Sequence, residues 1–318
     1  MEFKPFFSVV ISTKNRAKLV LKAIESVFNQ TFQTFELIVV DNASTDNTQH
    51  ELSKIKDVRF TYLRNDIDRE RCFARNRGIR ASKGDYVCFL DSDDEYLSNH
   101  LEVIYKFVQH SEVKQALFFT NAYETYNFEN LQERVCPDLN KYNLFEYLLT
   151  YTFNPARVAI HRSILSEFQF DEEIPGLEDL DLWLRIATKF PVLQIKERTI
   201  VYQIHDESYS IAAPKRFERE LSLFKYVFSK SILKENLPIH SKKRLISMCH
   251  YKISMALSTS FNPIKTHYHI VKAFFNFPKG YNQNANKTML VIFIYQLPVL
   301  GYIIRSLIFF LKNTNPIR

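Results

Sequence analysis

Between residues 6 and 91 the chain alternates short apolar runs with amphipathic stretches, and this alternation limits the fold more than any other feature. FFSVVIS (6–12), FELIVVD (35–41), VRFTYL (58–63) and DYVCFLD (85–91) are apolar runs of strand length. They lack the strict alternation of a half-exposed strand and suit strands buried on both faces. Between them, AKLVLKAIESVFNQ sets Leu19, Ala23, Ile24, Val27 and Phe28 on one helical face. A second helix is expected from Asp46 and a third over Arg71–Ser82. The resulting β-α-β-α-β-α-β order predicts a doubly wound, mainly parallel α/β sheet. Ligands of such sheets bind beyond the carboxyl ends of the strands. Ser12–Asn15, Asp41–Ser44 and Asp91–Asp94 are therefore expected to line one crevice.

Past Ser98 the pattern loosens. Helices are expected over Asn99–His110, over LFEYLLT (144–150) and over GLEDLDLWLRIATKF (176–190), the last with an acidic first turn that suits the helix dipole. ALFFTNAY (116–123), VLQIK and TIVYQIH read as strands, and from Pro214 onward the chain reads as helical and basic. Residues 1–214 carry 25 Lys and Arg against 32 Asp and Glu, a net −7, whereas residues 215–318 carry 17 against 3, a net +14. A basic tail on an acidic body points to an anionic surface. No nucleic-acid motif accompanies it, so a nucleic acid is not expected as partner. MLVIFIYQLPVLGYIIRSLIFFL (289–311) is long enough to reach across a bilayer. Arg305 and Pro298 favour interfacial contact or a packed hairpin over a clean span. The four cysteines form no CxxC pair, and MEFKPFFSVVIST enters a strand with no signal-like run before it. A reducing cytoplasmic setting is expected.

Chemistry concentrates in two segments. FLDSDDEYL places Asp91, Asp93 and Asp94 just past an apolar strand. Clustered carboxylates are hard oxygen ligands suited to Mg²⁺ or Mn²⁺, which would neutralise charge on a diphosphate; an acidic, solvated turn is the alternative. GLEDLDLWLR supplies Glu178, Asp179 and Asp181, with Asp181 read as a helix-start charge and Trp183 as core. Arg71 and Arg75 precede the acidic strand and suit phosphate contact.

VVISTKNR, ELIVVDNASTD, ARNRGIRASKGDYVCFLDSDD and GLEDLDLWLR occur in this order. Together they resemble the family 2 glycosyltransferases over roughly residues 5–210. The resemblance implies a GT-A fold, a Rossmann-like mixed and mainly parallel sheet flanked by helices, followed by a basic helical C-terminal extension. It implies a catalytic domain over 1–212, with a nucleotide-sugar half over about 1–97 and an acceptor half over about 98–212, and a helical region over 213–318. It further implies inverting transfer from a nucleotide diphosphate sugar, with UDP as the family's commonest nucleotide, to a hydroxyl of a glycan or lipid-linked acceptor. Such an enzyme would work at the inner face of the cell membrane in cell-surface polysaccharide synthesis.

Position by position, the resemblance gives Asp41 the nucleobase, Ser12 and Thr13 the nucleoside, and Asp91 the sugar or ribose. Asp93 becomes the principal ligand of Mn²⁺ or Mg²⁺, with Asp94 and His205 beside the ion. Asp179 becomes the catalytic base, oriented with the acceptor by Glu178. Two departures stand out: DIDRERCFARN lacks the glycine many relatives carry, and Lys14 stands where aromatic residues are common. A nucleotidyltransferase is the competing enzyme reading, but STKNRAKL has no glycine-rich phosphate loop. A catalytically silent sugar-binding protein is the non-enzyme reading. A nicotinamide dehydrogenase is excluded by the absence of GxGxxG after the first strand.

Overall fold

The computed structural model describes residues 4–126, 129–174, 176–204, 214–259 and 263–276. The chain divides into two compact units, Met1–Tyr209 and Ser210–Arg318. In the first, β1 (Phe7–Thr13), α1 (Ala17–Phe28), β2 (Phe35–Asn42), α2 (Thr48–Ser53), β3 (Phe60–Asn65), α3 (Arg71–Ala81) and β4 (Tyr86–Asp91) follow the expected order. They build a parallel half-sheet in the order β3-β2-β1-β4.

Both faces are covered along β1, β2 and β4, which are buried almost throughout, whereas β3 (FTYLRN), at the sheet edge, is only partly buried, unlike the doubly covered strand expected there. Phe7, Val9 and Ile11 pack with Val20, Ala23, Ile24 and Val27 of α1, while Ile38 and Val40 pack with Ala74 of α3. Val20 holds the helix-face position that periodicity gave to Leu19, a shift of one residue on the same side. Two element starts also differ from expectation, each for a local reason. The Asp46 carboxylate accepts the Thr48 N–H at 3.0 Å in a turn ahead of the helix, so α2 starts at Thr48 with Asn47 as its N-cap. Asp57 accepts the Arg59 N–H and pairs with its guanidinium, forming a turn that leaves Val58 exposed and starts β3 at Phe60.

The start of β4 is held by a buried clasp. Glu36 Oε1 accepts from Ser8 Oγ at 2.6 Å, from the Lys83 N–H at 2.6 Å and from the Gly84 N–H at 3.3 Å. Gly84 lies so close to β1 that a Cβ there would fall 2.6 Å from the Ser8 backbone nitrogen.

The second half of the unit holds β5 (Glu95–Tyr96), α4 (His100–His110), β6 (Leu117–Tyr126), β7 (Glu129–Arg134), α5 (Leu144–Thr150), β8 (Val158–His161), α6 (Arg162–Glu167), α7 (Glu178–Ala187) and β9 (Val192–Ile204). Here β8 runs antiparallel between β4 and β6, so the whole sheet is mixed, in the order β3-β2-β1-β4-β8-β6-β9-β5 with β7 paired to β6. VLQIK and TIVYQIH, expected as two strands, are one strand, β9. Its parallel register with β6 shifts around Asn121, which absorbs the break between the two apolar runs.

The second unit consists, among the described residues, of α8 (Pro214–Ser229), α9 (Ser231–Asn236), α10 (Ile239–Thr259) and α11 (Pro263–Asn276). No helix among the described residues is long and apolar enough to cross a membrane. The 289–311 stretch lies outside the described residues.

Candidate active site

Strand register brings the chemistry together. Ser12 of β1 stands opposite Asp91 of β4, and Thr13 stands opposite Asp41 of β2. Beyond these carboxyl ends lies a cavity of about 860 Å³. Its wall includes Ser12, Thr13, Arg71, Arg75, Asp91 and Asp93 from the sequence-based set, together with Arg16, Tyr202 and Gln203. Thr13 Oγ1 and Gln203 Oε1, both on residues of that wall, are buried with no hydrogen-bond partner among the described residues.

The three acids at the end of β4 and just past it have different partners. Asp91 Oδ1 meets Arg75 Nη2 at 2.6 Å, and Asp93 Oδ2 meets Arg16 Nη1 at 2.6 Å. Asp94 does not line the cavity. It is buried, with Oδ1 accepting the Gln203 N–H at 3.0 Å and Oδ2 accepting from Asn154 Nδ2 at 3.3 Å. Burial first, then the charges of Asp91 and Asp93, push its carboxyl well above the usual range. Asp94 thus fastens the acidic turn to β9, and Asp93 is left facing the cavity.

Asp41 is also buried behind the wall. Its oxygens take the Ser44 N–H at 2.9 Å and the Tyr62 hydroxyl at 2.7 Å, beside Ala43 in the left-handed region at φ 59°. The glycine-free DIDRERCFARN loop follows a path fixed by Asn42, whose amide donates to Asp68 Oδ1 at 3.0 Å and to the Arg69 carbonyl. Lys14 forms an ion pair with Asp68 on the same rim.

Neither Glu178 nor Asp179 of α7 is on the cavity wall, and Glu178 meets that wall through Arg75 and Arg71. Gly176 at φ 153° and Leu177 at φ 58° turn the chain sharply into the helix. Glu178 is buried and bonds Arg75 Nη1 at 3.1 Å, with Arg71 Nε at 3.5 Å. Arg75, 4% exposed and stacked on the Phe170 ring, therefore bridges Asp91 of β4 to Glu178 of α7. Burial works against its charge, but Asp91 and then Glu178 outweigh this and hold the guanidinium above its ordinary range. Arg75 lines the cavity while it makes this bridge, and Arg71 is half exposed on the same wall.

Asp179 is half-buried. Burial, followed by the neighbouring Glu178 charge, pushes its carboxyl up to about 7. Its Oδ1 accepts the Leu180 N–H at 2.7 Å. A carboxylate poised there takes a proton efficiently near neutral pH. Asp181 stands in the first turn of α7 as expected, and there it is fully buried and paired with Arg185 at 2.7 Å one turn on. Arg185 also donates to the Gln169 carbonyl, so this pair anchors the helix that carries Asp179. Trp183 is core, its indole N–H donating to the Phe153 carbonyl at 3.0 Å.

Sequence pattern alone assigns no role to Arg16, Tyr202 or Gln203. Arg16 sits inside the STKNR segment, four residues past the end of the apolar run, and that position is the signal in the sequence for it. Gln203 reaches the wall only through the pairing of β9, which local pattern does not encode. His205 lies outside the described residues. Among the described residues, no group of three or more His, Cys, Asp or Glu is arranged to hold a metal ion. A magnesium-type ion is commonly held by one or two carboxylates completed by substrate phosphates and water. Asp91 and Asp93, both on the cavity wall, match that donor set.

The family model described as Glycosyl transferase family 2 matches residues 8–168. The putative colanic acid biosynthesis glycosyl transferase WcaA of Escherichia coli (strain K12) is 30% identical over 68% of this chain and 79% of its own. An Escherichia coli protein described as UDP-Glc:alpha-D-GlcNAc-diphosphoundecaprenol beta-1,3-glucosyltransferase WfaP is 26% identical over 80% of this chain and 96% of its own. Among solved structures, S. aureus TarS 1-349 in complex with UDP-GlcNAc has a TM-score of 0.61 at 16% identity, covering 89% of this chain and 92% of that one. The mannosyltransferase PcManGT from Pyrobaculum calidifontis, in complex with GDP-Man and Mn2+, has a TM-score of 0.57 at 16% identity over 93% and 88%. Both share the mixed sheet flanked by helices described above.

Proposed function

The chain belongs to glycosyl transferase family 2, and on that premise we propose an inverting, metal-assisted transfer from a UDP-sugar to a hydroxyl of a lipid-linked glycan. The observation that carries this reading is Asp179, a carboxylate raised to about 7 and joined to the donor-side cavity through Glu178, Arg75 and Asp91. Asp179 accepts the acceptor hydroxyl proton as that oxygen attacks the anomeric carbon. The bond from carbon to the diphosphate oxygen breaks on the opposite face, which inverts the configuration. Arg71 meets charge on the departing diphosphate. Asp93, with Asp91 beside it, is the place for Mn²⁺ or Mg²⁺, which supplies charge neutralisation to the leaving group when bound. Ser12 and Thr13 lie where a nucleoside would rest, and the orphaned Thr13 hydroxyl supports that assignment. Asp41 shapes the loop behind them, and Asp94 sets the direction of Asp93.

The acceptor class is drawn from the relative whose name gives a diphosphoundecaprenol-linked GlcNAc acceptor and a UDP-glucose donor. Colanic acid synthesis in the name of another relative supports a place in surface polysaccharide assembly. The test is transfer from a panel of UDP-sugars to a diphospholipid-linked GlcNAc, with the product anomer read by NMR. A product that retains the donor's configuration overturns the inverting mechanism, and absence of transfer with every donor overturns the enzyme reading.

A further inference from the structure

Helix α11 (Pro263–Asn276) divides sharply into two faces. At 100° per residue, the buried Thr266, His269, Ile270 and Ala273 fall within a sector of about 100°. On the opposite side, Lys265, Tyr268, Val271, Lys272 and Phe275 share a stripe about 120° wide, and all five are exposed. Three of them are large and apolar or aromatic: Tyr268 is 55% exposed, Val271 43% and Phe275 75%. A helix of a water-soluble bundle ordinarily directs polar groups outward on this face. Here the lysines form one edge of the stripe, with Lys272 Nζ 5.6 Å from the Tyr268 ring centre, and the apolar groups form the other.

From this geometry we propose that the outer face of α11 docks on an anionic lipid bilayer. Tyr268, Val271 and Phe275 enter the boundary between headgroups and acyl chains, while Lys265 and Lys272 remain among the anionic headgroups. The charge of the surrounding chain complements such a surface, with 17 Lys and Arg against 3 Asp and Glu over residues 215–318. The sequence gives a second, independent pointer: α11 ends 13 residues before the apolar 289–311 stretch. The proposal deepens the reading of a lipid-linked acceptor, but its test reads membrane contact and involves no transfer reaction.

The experiment uses the full chain carrying Phe275→Trp. The sole native tryptophan, Trp183, is fully buried, so it supplies a constant background. With vesicles of phosphatidylcholine and phosphatidylglycerol, emission from position 275 should shift to the blue and be quenched by brominated acyl chains. Vesicles of phosphatidylcholine alone should give at least tenfold weaker binding. The Lys265→Gln, Lys272→Gln double variant should lose about 25-fold in affinity for the anionic vesicles at low salt, from roughly fivefold per lysine. The Tyr268→Ser, Val271→Ser, Phe275→Ser triple variant, in the parent background, should keep its melting temperature while losing at least tenfold in affinity. Flotation of the Phe275→Trp chain with vesicles but without quenching would overturn the proposal, because another surface would then make the contact. So would equal binding to neutral vesicles, binding of an RNA homopolymer in place of vesicles, or a concentration-dependent dimer that the triple variant dissociates.

Discussion

Replacing Arg75 by Met keeps most of the side-chain volume but removes the cation shared by Asp91 and Glu178. Breaking a buried ion pair from one side costs about 3–5 kcal/mol, because a charge is left without its partner. The two acids are not equally trapped: the Asp91 side chain is 27% exposed and rehydrates, whereas Glu178 at 9% does not. The lower end, about 3 kcal/mol, is therefore expected. In a unit of 209 residues, at about 2–4 °C per kcal/mol, this lowers the melting temperature by roughly 6–12 °C. A second effect distinguishes this bridge from simple packing. Arg75 also favours the ionised form of Asp179, so its loss moves that carboxyl above its present value of about 7. The acid limb of the pH–rate profile should then shift to higher pH. Arg75→Lys keeps one charge but cannot span both acids, and should restore part of the limb and less of the stability. Thermal unfolding and a pH–rate series on the same three proteins provide the check. A Met variant that melts within about 2 °C of its parent, with an unmoved acid limb, would refute the bridge.

Asp93→Ala should lower transfer by orders of magnitude, and chelator should abolish it in the parent until Mn²⁺ or Mg²⁺ is restored; full activity in excess chelator would remove the metal from the mechanism. Asp179→Asn should lower turnover by about 10²–10⁴-fold, the usual contribution of a positioned base, with donor binding by calorimetry unchanged. In the parent, the rate should rise about tenfold per pH unit below about 7 and level off above it, since only ionised Asp179 accepts the proton. The same raised carboxyl binds more protons folded than unfolded between about pH 4 and 7, so its contribution to stability falls as pH rises through that window. Gly84→Ala should melt lower than any single surface variant, because its Cβ would meet Ser8 and Phe7 backbone atoms at 2.6 and 2.7 Å, which cannot rotate away.

The parallel half of the sheet was legible because its information is local. Buried strands are uniformly apolar, the helices between them carry one-sided periodicity, and β-α-β connection leaves one sensible order. The same reasoning located Ser12, Thr13, Asp91 and Asp93, since a ligand crevice at strand ends follows from topology. It could not foresee that Asp94 turns inward, because its partners Asn154 and Gln203 are 60 and 109 residues away. The pairing of Asp181, a first-turn acid as expected, was not legible for a related reason. Its burial depends on how α7 packs, and an acidic first turn looks alike whether solvated or paired with Arg185. The antiparallel strand β8 and the hairpin strand β7 had weak signals: β8 has only four residues, and β7 (ENLQER) is almost entirely polar. The bridge by Arg75 joins positions 16 and 103 residues apart, a pairing that no sequence window contains.

Leu177 enters α7 with φ 58° and ψ 22°, a conformation that costs a side-chain-bearing residue about 1–2 kcal/mol. Glycine or asparagine would adopt it at less cost, so a chain selected for thermal stability alone would drift away from leucine here. The two residues that follow are Glu178 and Asp179, and the tight turn determines how both leave the backbone. On the proposed mechanism, Leu177→Gly should therefore raise the melting temperature and lower turnover together, and a variant that gains stability with full activity would show that the strain does not serve the alignment of Asp179.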